Sequence, residues 1–482
     1  MNRIKRLLAT ACACALTLLV LPCTAVRAET GSGDSADSFS DDVLTYTKLG
    51  DGKVSVTACD TNTVTLNIPA AINGFAVTAI GEEAFSGCTS LTRVVLPDSI
   101  DTIGEAAFYS CTGLTEVTLP ESLEALPTAM FCYCTNLEQV SIPDTVTAVG
   151  DYAFAYCTSL KTLELPEGIT SIGLYAFQYC MNLTELTIPE QTAKIDALAF
   201  VACSKLNSLR FPAATETIGD LAFVGCNSLE KVEVAEENPA FLAQDGMLLS
   251  KDKSRLILYP AGKSDNSFTV PDSITTIEAY AFSGNGYLTS VEIPDTVQEI
   301  KEGAFAGCSS INSVRLPAGI TAIPGSMFSD CSSLTSFELP ATVTAVGDYA
   351  FYSCDKLTGM FVPDSVTEIG EKAFGFTADS QGNSSVLSGY TLTCSSKSKA
   401  YSYAQENGIT AATTDFVINW VLVSCVIGGI LLIALVLILL GVRKKKQLAA
   451  QQEDASAEPA QPEPEEPDPN YQRILEQDDS DE

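Results

Sequence analysis

The chain of 482 residues contains no histidine. This absence excludes Ser-His-Asp and Cys-His catalytic arrangements, zinc sites of the HExxH type, and the side chain that most often serves as acid and base near neutral pH. A pair of carboxylates would still suffice for glycoside hydrolysis, but the acidic residues recur with a repeat instead of clustering in one irregular loop. The sequence therefore predicts no enzyme, no cofactor and no metal site.

Basic residues are scarce as well. The chain has 27 Lys and Arg against 60 Asp and Glu, which gives a formal net charge of −33. A surface this acidic repels the phosphate backbone of nucleic acids and anionic lipid headgroups. The composition therefore predicts that nucleic acid is not a partner.

Two segments near the ends of the chain contain long runs without a charged residue. Residues 1–28 have the basic start, apolar run and small-residue end of a signal peptide, with cleavage expected after Ala28. Cleavage before Cys23, as in a lipoprotein, is disfavoured by Pro22. Residues 416–442 are apolar over a length that spans a hydrocarbon core of ~30 Å, so we predict a transmembrane helix.

The basic residues 443–446 follow this segment directly and mark its cytoplasmic side. The predicted localisation is the cell membrane, with a single span, the repeats outside and the C-terminus inside. The tail 443–482 is acidic and rich in proline, so we expect it to be disordered. It is either a solvated spacer or a docking segment for a cytoplasmic partner.

Twelve phenylalanines recur at a spacing of 23 residues, with one longer step of 59 residues. Self-similarity at a period of this size is typical of a solenoid, in which each repeat buries its apolar face only by stacking on its neighbours. The twelve residues are Phe85, Phe108, Phe131, Phe154, Phe177, Phe200, Phe223, Phe282, Phe305, Phe328, Phe351 and Phe374.

Each repeat holds one strand signal and one turn signal. The text LTRVVLP predicts a short strand with Leu91, Val94 and Leu96 inward, ended by Pro97 because proline lacks a backbone donor. The text IGEEAF predicts a single turn of α or 3₁₀ helix on the opposite wall. The predicted fold class is an α/β solenoid, a leucine-rich repeat stack of about 13 coils with a parallel β-sheet on one face, short helical turns opposite, and one C-terminal transmembrane helix.

The longer step, between Phe223 and Phe282, contains the text DGMLLSKDKSRLILYP, which predicts a β-hairpin that projects from the solenoid. The hairpin is either a tolerated insertion or a specificity loop. The predicted divisions are a signal peptide (1–28), an N-terminal linker and cap (29–75), repeats (76–234), a long repeat with the hairpin insertion (235–270), repeats (271–378), a C-terminal cap and linker (379–415), the transmembrane helix (416–442) and the cytoplasmic tail (443–482).

Cysteine follows the phenylalanine by three residues in ten of the twelve repeats. Buried free thiols are one interpretation, and strained disulfides between coils or metal ligation are the others, although a line of thiols does not converge on one metal. This structural cysteine ladder comprises Cys88, Cys111, Cys134, Cys157, Cys180, Cys203, Cys226, Cys308, Cys331 and Cys354.

The repeat CxxLxxVxLPxxIxxIGxxAFxxC, the insertion text NPAFLAQDGMLLSKDKSRLILYP and the closing SKAYSYAQENGI resemble the BspA-type leucine-rich repeat family, the Treponema-like class with 23-residue repeats. The resemblance covers about residues 42 to 410. It implies a secreted or surface protein of a bacterium or protozoan, and several members are adhesins for host matrix proteins or other cells. The membrane span and acidic tail depart from the family pattern.

The outward strand positions are the candidate ligand-binding surface, because solenoids usually bind through their extended sheet. We favour an adhesin that binds a host matrix protein, a glycan or another cell. A receptor that signals through the tail is the alternative, and a carboxylate-based glycan hydrolase is the weakest hypothesis. The candidate surface residues are Arg93, Val95, Glu116, Thr118, Lys161, Glu164, Glu185, Thr187, Arg210, Glu233, Glu292, Arg315, Glu338 and Phe361.

Overall fold

The computed structural model describes residues 37–379 and 381–415, together with six isolated positions between 433 and 444. The described residues up to Thr414 belong to one compact unit. The predicted signal peptide lies outside the described residues, as do nearly all of the predicted transmembrane helix and the tail. No helix within the described part of the chain has both the length and the apolar character needed to cross a membrane.

One wall of the solenoid, here called the front wall, is built from parallel strands that lie one coil apart. Arg93 and Val94 lie beside Glu116 and Val117, 23 residues later, so the sequence period equals one coil. The predicted parallel sheet is thus confirmed. Its strands are Thr65–Asn67, Arg93–Val95, Glu116–Thr118, Gln139–Ser141, Thr162–Leu163, Glu185–Leu186, Ser208–Phe211, Lys231–Val234, Ser267–Thr269, Ser290–Glu292, Ser313–Arg315, Gly359–Phe361, Thr391–Cys394 and Thr410–Thr413.

The opposite wall, here called the rear wall, is also made of strands, most of them two residues long. They pair in parallel with the same one-coil register, as Ser171 and Ile172 do with Lys194 and Ile195. The strands are Lys53–Cys59, Phe75–Ile80, Thr102–Ile103, Ala148–Val149, Ser171–Ile172, Lys194–Ile195, Thr217–Ile218, Arg255–Leu258, Thr276–Ile277, Glu299–Ile300, Ala322–Ile323, Ala345–Val346 and Glu368–Ile369.

The prediction of a helical turn in each coil is wrong. In the regular coils the segment after the rear strand contains two residues with positive φ, such as Glu83 at 55° and Gly87 at 73°. The left-handed conformation breaks a right-handed helix wherever it occurs. The N–H of Phe85 instead donates to the C=O of Ala107 in the next coil over 2.8 Å, while the N–H of Cys88 donates back to Phe85 over 3.0 Å. We call this arrangement the turn wall.

The stack has about 16 turns, more than the 13 predicted. The difference lies at the ends, where coils lack the phenylalanine that marked the repeat. Thr65–Asn67 pairs in parallel with the first repeat strand, and Thr391–Cys394 and Thr410–Thr413 extend the front wall at the other end. Segments predicted as caps therefore also contribute coils to the stack.

Antiparallel strands close the N-terminal end: Ser38–Ser40 and Leu44–Gly50 add to the rear wall, and Ala71–Ile72 pairs with Phe75–Ile80. Near the C-terminal end, Phe376–Ala378 and Ser384–Val386 form a short antiparallel pair. The helix Lys399–Asn407 begins at the Ser398 N-cap and ends at Gly408, whose φ is 70°. This helix lies within the segment 379–415 that was predicted to be a C-terminal cap and linker.

The long coil does not project, which overturns the expectation from sequence. Its strands Phe241–Gln244, Met247–Ser250 and Arg255–Leu258 pair antiparallel, and all four residues of the middle strand are buried. Leu248 packs in the core of the preceding coils, whereas Met247 and Leu249 pack in the core of the following coils. Successive strand residues point to opposite faces, so this one strand joins two cores.

Phenylalanine rings stack along the solenoid axis. The rings of Phe154 and Phe177 lie 5.5 Å apart at 6° to one another, and Phe177 and Phe200 are 5.2 Å apart at 5°. All three side chains are fully buried. The spacing seen in the sequence is therefore the period of two aromatic columns, one from Phe85 to Phe223 and one from Tyr259 to Phe374.

Candidate binding face

The front wall presents a row of side chains to solvent on every coil. In most strands the inward residue, such as Val94 or Val117, is buried, and its neighbours point outward. Thirteen of the fourteen candidate surface residues are exposed, and Val95 is half-buried. Glu164, Thr187 and Glu338 lie just outside strand hydrogen bonding, but the stack keeps them in the same row.

Phe361 is the largest apolar side chain in this row, with 53% of its surface exposed. It lies on the strand Gly359–Phe361, near the C-terminal end of the front wall. A solitary exposed aromatic ring offers a contact that is rigid and rich in apolar area. It is the one apolar anchor among the fourteen candidates apart from Val95.

Ion pairs between coils neutralise several cations of the row. Arg93 lies 3.4 Å from Glu116, and Arg315 lies 3.1 Å from Glu292, each pair joining positions one coil apart. Both pairs are more than half exposed, so each contributes about 1 kcal/mol or less to stability. Their main effect is electrostatic. They neutralise these cations, so the carboxylates that lie between the pairs keep the surface of the front wall negative.

Other cations pair with acidic neighbours on the same wall. Arg210 contacts Glu190, and this carboxylate raises the pKa of the guanidinium. Lys231 lies 2.6 Å from Glu233, and its hydrogen bond lowers the pKa of that carboxyl group. Glu164, Glu185 and Glu338 form no ion pair with a described residue. The described row is therefore acidic overall, with Thr and Ser between the charges.

The cysteine ladder lies inside the stack, at the corner that follows each phenylalanine. All ten residues are buried free thiols in this structure. Nine thiols donate to the backbone carbonyl of the phenylalanine in the preceding coil, as Cys157 does to Phe131 over 3.2 Å. Burial raises the pKa of Cys111 and of Cys226 to about 12. The geometry therefore suits packing and weak hydrogen bonding, not thiolate chemistry.

Asparagine replaces cysteine at position 285. Its side chain forms four hydrogen bonds to the backbone, whereas a ladder thiol forms one. The Asn285 amide donates to the carbonyls of Pro260 and Lys263, and its oxygen accepts the N–H groups of Tyr287 and Leu288. Asn238, in the long coil, forms a similar set of bonds at another corner. Asn238 falls outside the regular spacing, so the repeat pattern does not indicate it.

Two cysteines outside the ladder occupy different surroundings. Cys132 is buried in a small cluster with Ala129 and Ala155 on the turn wall. Cys59 is half-buried, and a hydrogen bond from Cys88 lowers its pKa to about 7. Among the described residues, Cys59 therefore combines access to solvent with a depressed pKa.

Columns of tyrosine on the turn wall were missed in the sequence analysis. Tyr133, Tyr156 and Tyr179 stack with ring centroids 4.3 and 4.8 Å apart, and Tyr152 stacks on Tyr175 at 4.9 Å. The signal was present, because these residues lie two positions before or after the repeat phenylalanines. The rings cover one another, so the columns present ring edges to solvent and act mainly as packing.

Among the residues that the structure describes, no three His, Cys, Asp or Glu side chains converge as ligands for a metal ion. The absence of an enzymatic role and of a cofactor stays a prediction. The candidate surface residues likewise stay predictions as binding residues, since the structure shows their placement alone.

Comparisons with known proteins agree on the architecture. A model of the BspA-type leucine-rich repeat region matches residues 59–150, 126–242 and 261–379. A leucine-rich cell-surface protein from Faecalibacterium prausnitzii is 30% identical, with a TM-score of 0.62, over 74% of this chain and 98% of its own. No match was found among curated proteins.

Two further crystal structures share the fold. A leucine-rich repeat protein from Bacteroides ovatus is 25% identical, with a TM-score of 0.50, over 78% of this chain and 100% of its own. The pneumococcal vaccine antigen PcpA is 20% identical, with a TM-score of 0.56, over 78% of this chain and 98% of its own.

Proposed function

Because the chain belongs to the BspA-type leucine-rich repeat family, we propose that it is a cell-surface binding protein, an adhesin for an extracellular protein or glycan. The observation that carries the proposal is the front wall, where outward side chains repeat in register over the length of the stack. An extended surface of this kind binds through many weak contacts instead of one deep pocket.

The chemistry of the row supports a polar ligand. Carboxylates without ion-pair partners among the described residues alternate with hydroxyl groups such as those of Thr118 and Thr187. Hydroxyl and carboxylate groups bind glycan hydroxyls and basic protein side chains. Phe361 supplies an apolar contact at one end of the row.

The location is part of the proposal. The leader 1–28 and the apolar segment 416–442 would hold the repeats outside the cell, with the tail 443–482 inside. The similar Faecalibacterium protein is described as a cell-surface protein, which is consistent with this placement.

Matched charge reversals on the two walls test the binding face. Residues 29–415 include all the described coils and both of their cores, and this fragment would be screened against immobilised matrix proteins and a glycan array. The front-wall variant Glu164→Lys/Glu185→Lys is expected to change binding at least fivefold. The rear-wall variant Glu299→Lys/Glu368→Lys changes net charge equally and is expected to leave binding unchanged.

Equal effects of the two variants would contradict a front-wall site.

Deleting residues 447–482 from the full chain, expressed on cells, separates adhesion from signalling. An adhesin keeps its attachment to immobilised ligand without the tail. Loss of a ligand-dependent cellular response with attachment intact would instead support the receptor alternative.

A further inference from the structure

Coil-to-coil hydrogen bonding on the turn wall stops at one junction. In a regular coil the N–H groups of Leu198, Phe200 and Ala202 donate to carbonyls of the next coil over 3.1, 2.9 and 2.8 Å. The corresponding N–H groups of the following coil find no acceptor among the described residues. They belong to Leu221, Phe223 and Gly225.

These N–H groups lack acceptors among the described residues because the turn that leads to Tyr259 in the next coil is shorter than in a regular coil. Tyr259 occupies the repeat phenylalanine position, because its N–H donates to Ala281 and its ring stacks on Phe282 at 5.1 Å. Leu256 pairs with Ile277, so only two residues separate Leu256 from Tyr259, against four between Ile277 and Phe282. This turn is two residues shorter than the turn of a regular coil, so the chain does not cover the N–H groups of the preceding coil.

A cleft of about 250 Å³ opens at this corner. One side is formed by residues 216–224, including Thr217–Ile218, the last strand of its rear sheet, whose outer edge has no paired strand among the described residues. Phe241, Leu258 and Ala261 supply apolar lining. The cleft therefore combines an open backbone edge with an apolar surface.

The charges at the cleft are unequal. Glu278 lies 2.6 Å from both Arg255 and Lys301, so its charge is compensated by these two cations. Glu216 and Asp220 also line the cleft, are exposed, and form no ion pair with a described residue. A ligand with basic side chains would complement these two carboxylates.

We propose that this cleft binds an extended peptide segment with basic side chains, which adds the missing rung to the stack. Its carbonyl groups would accept the N–H groups of Leu221 and Phe223, as a neighbouring coil does elsewhere. Open backbone edges are templates for strand addition, and alternate side chains of an added strand reach opposite faces. Apolar side chains would then contact Leu258 and Phe241, while basic ones approach Asp220.

The site is separate from the front wall, and its occupation does not depend on the proposed adhesin function. A peptide could bind here whether or not the front wall binds a ligand. The two proposals can therefore fail independently.

Amide hydrogen exchange on residues 29–415 tests the open edge. The amides of Leu221, Phe223 and Gly225 are expected to exchange at least ~100-fold faster than those of Leu198, Phe200 and Ala202, because a hydrogen-bonded amide exchanges only after local opening. Equal protection of the two sets would overturn the proposal.

Binding is then measured with the fluorescently labelled peptide acetyl-Lys-Val-Lys-Val-Lys-Val-Lys-amide and with the same sequence carrying Glu in place of Lys. The lysine peptide is expected to bind and to slow exchange at Leu221 and Phe223. Similar binding of the two peptides, or no binding of the lysine peptide at about 1 mM, would overturn the proposal.

Two substitutions at the same repeat position give the matched control. Asp220 and Glu105 each lie three residues before the repeat phenylalanine, and both are exposed. Asp220→Lys is expected to weaken binding of the lysine peptide by about fivefold or more, the equivalent of about 1 kcal/mol, whereas Glu105→Lys leaves it within about twofold. An equal loss in both variants would indicate a general charge effect and contradict the cleft.

Discussion

The thiol of Cys180 donates a hydrogen bond to the backbone carbonyl of Phe154 in the preceding coil, over 3.2 Å. The same carbonyl accepts the N–H of Cys157 over 3.1 Å. Each ladder thiol therefore joins two coils at a carbonyl that the backbone already uses, and the side chain adds close packing at a buried corner.

Truncation of one ladder residue is expected to lower stability modestly. Cys180→Ala removes a buried sulfur and one of two bonds to the Phe154 carbonyl, so the free energy of unfolding should fall by about 1–2 kcal/mol in urea titrations. Cys59→Ala, at a half-buried position, serves as the control and should have less effect. Unchanged stability of Cys180→Ala would show that the corner tolerates the loss.

Thiol reactivity should separate Cys59 from the ladder. The hydrogen bond from Cys88 lowers the pKa of Cys59 to about 7, whereas burial raises that of Cys111 to about 12. Alkylation of the folded protein, mapped by mass spectrometry, should therefore label Cys59 first, at a rate that rises with pH through 7. The ladder thiols should react only after unfolding. If they fail to react in denatured protein that has not been reduced, they form disulfides instead.

Stability should depend on pH through Asp330. Burial raises the pKa of this carboxyl group to about 7 from its ordinary value of 3.8, so the folded state binds the proton more tightly than the unfolded state. Its contribution is fully present below about pH 4 and is lost as pH rises through 7. Asp330→Asn should therefore raise the melting temperature more at pH 8 than at pH 5.

The gain from Asp330→Asn at pH 8 is expected to be about 1–2 kcal/mol, since one pKa unit corresponds to about 1.4 kcal/mol and relaxation reduces the effect. The exposed Asp364→Asn, which also removes one carboxylate, is the matched control. A gain from Asp330→Asn that is independent of pH would contradict the titration.

Substitutions in the long coil should reveal its place in the core. Leu248→Ala is expected to cost about 2–4 kcal/mol, because the side chain is fully buried in the core of the preceding coils. Lys251→Ala, on the exposed turn of the same segment, should change stability by about 0.5 kcal/mol or less. Comparable small effects would restore the projecting hairpin that the sequence suggested.

The sequence predicted the repeat, the front strands and the inward residues because apolar residues recur at fixed positions through the stack, as Val94, Leu163 and Met360 do at the inward strand position. It failed at the turn wall, where residues as different as Glu83, Tyr156 and Leu198 all have positive φ. Local preference argues against that conformation for tyrosine and leucine. Hydrogen bonds to the neighbouring coil stabilise the positive-φ conformation. The sequence of one repeat does not show these contacts with the next coil.

The long coil shows a second limit. Its two short apolar stretches correctly indicated an antiparallel hairpin, but strand patterns do not reveal which surface covers each face. Met247 and Leu248 pack into different cores, and this contact depends on where the chain returns after Tyr259. The cleft beside Phe223 arises from the same return path and so could not be predicted from sequence.

The junction at the long coil also affects how the solenoid resists a pulling force. A pulling force between a bound ligand and the proposed membrane anchor would pass along the stack. Among the described residues, the N–H groups of Leu221, Phe223 and Gly225 lack the three regular bonds of the turn wall, so the strand Met247–Ser250 would bear more of the load there. Under tension, the solenoid is expected to yield first at this seam and separate into two blocks of coils.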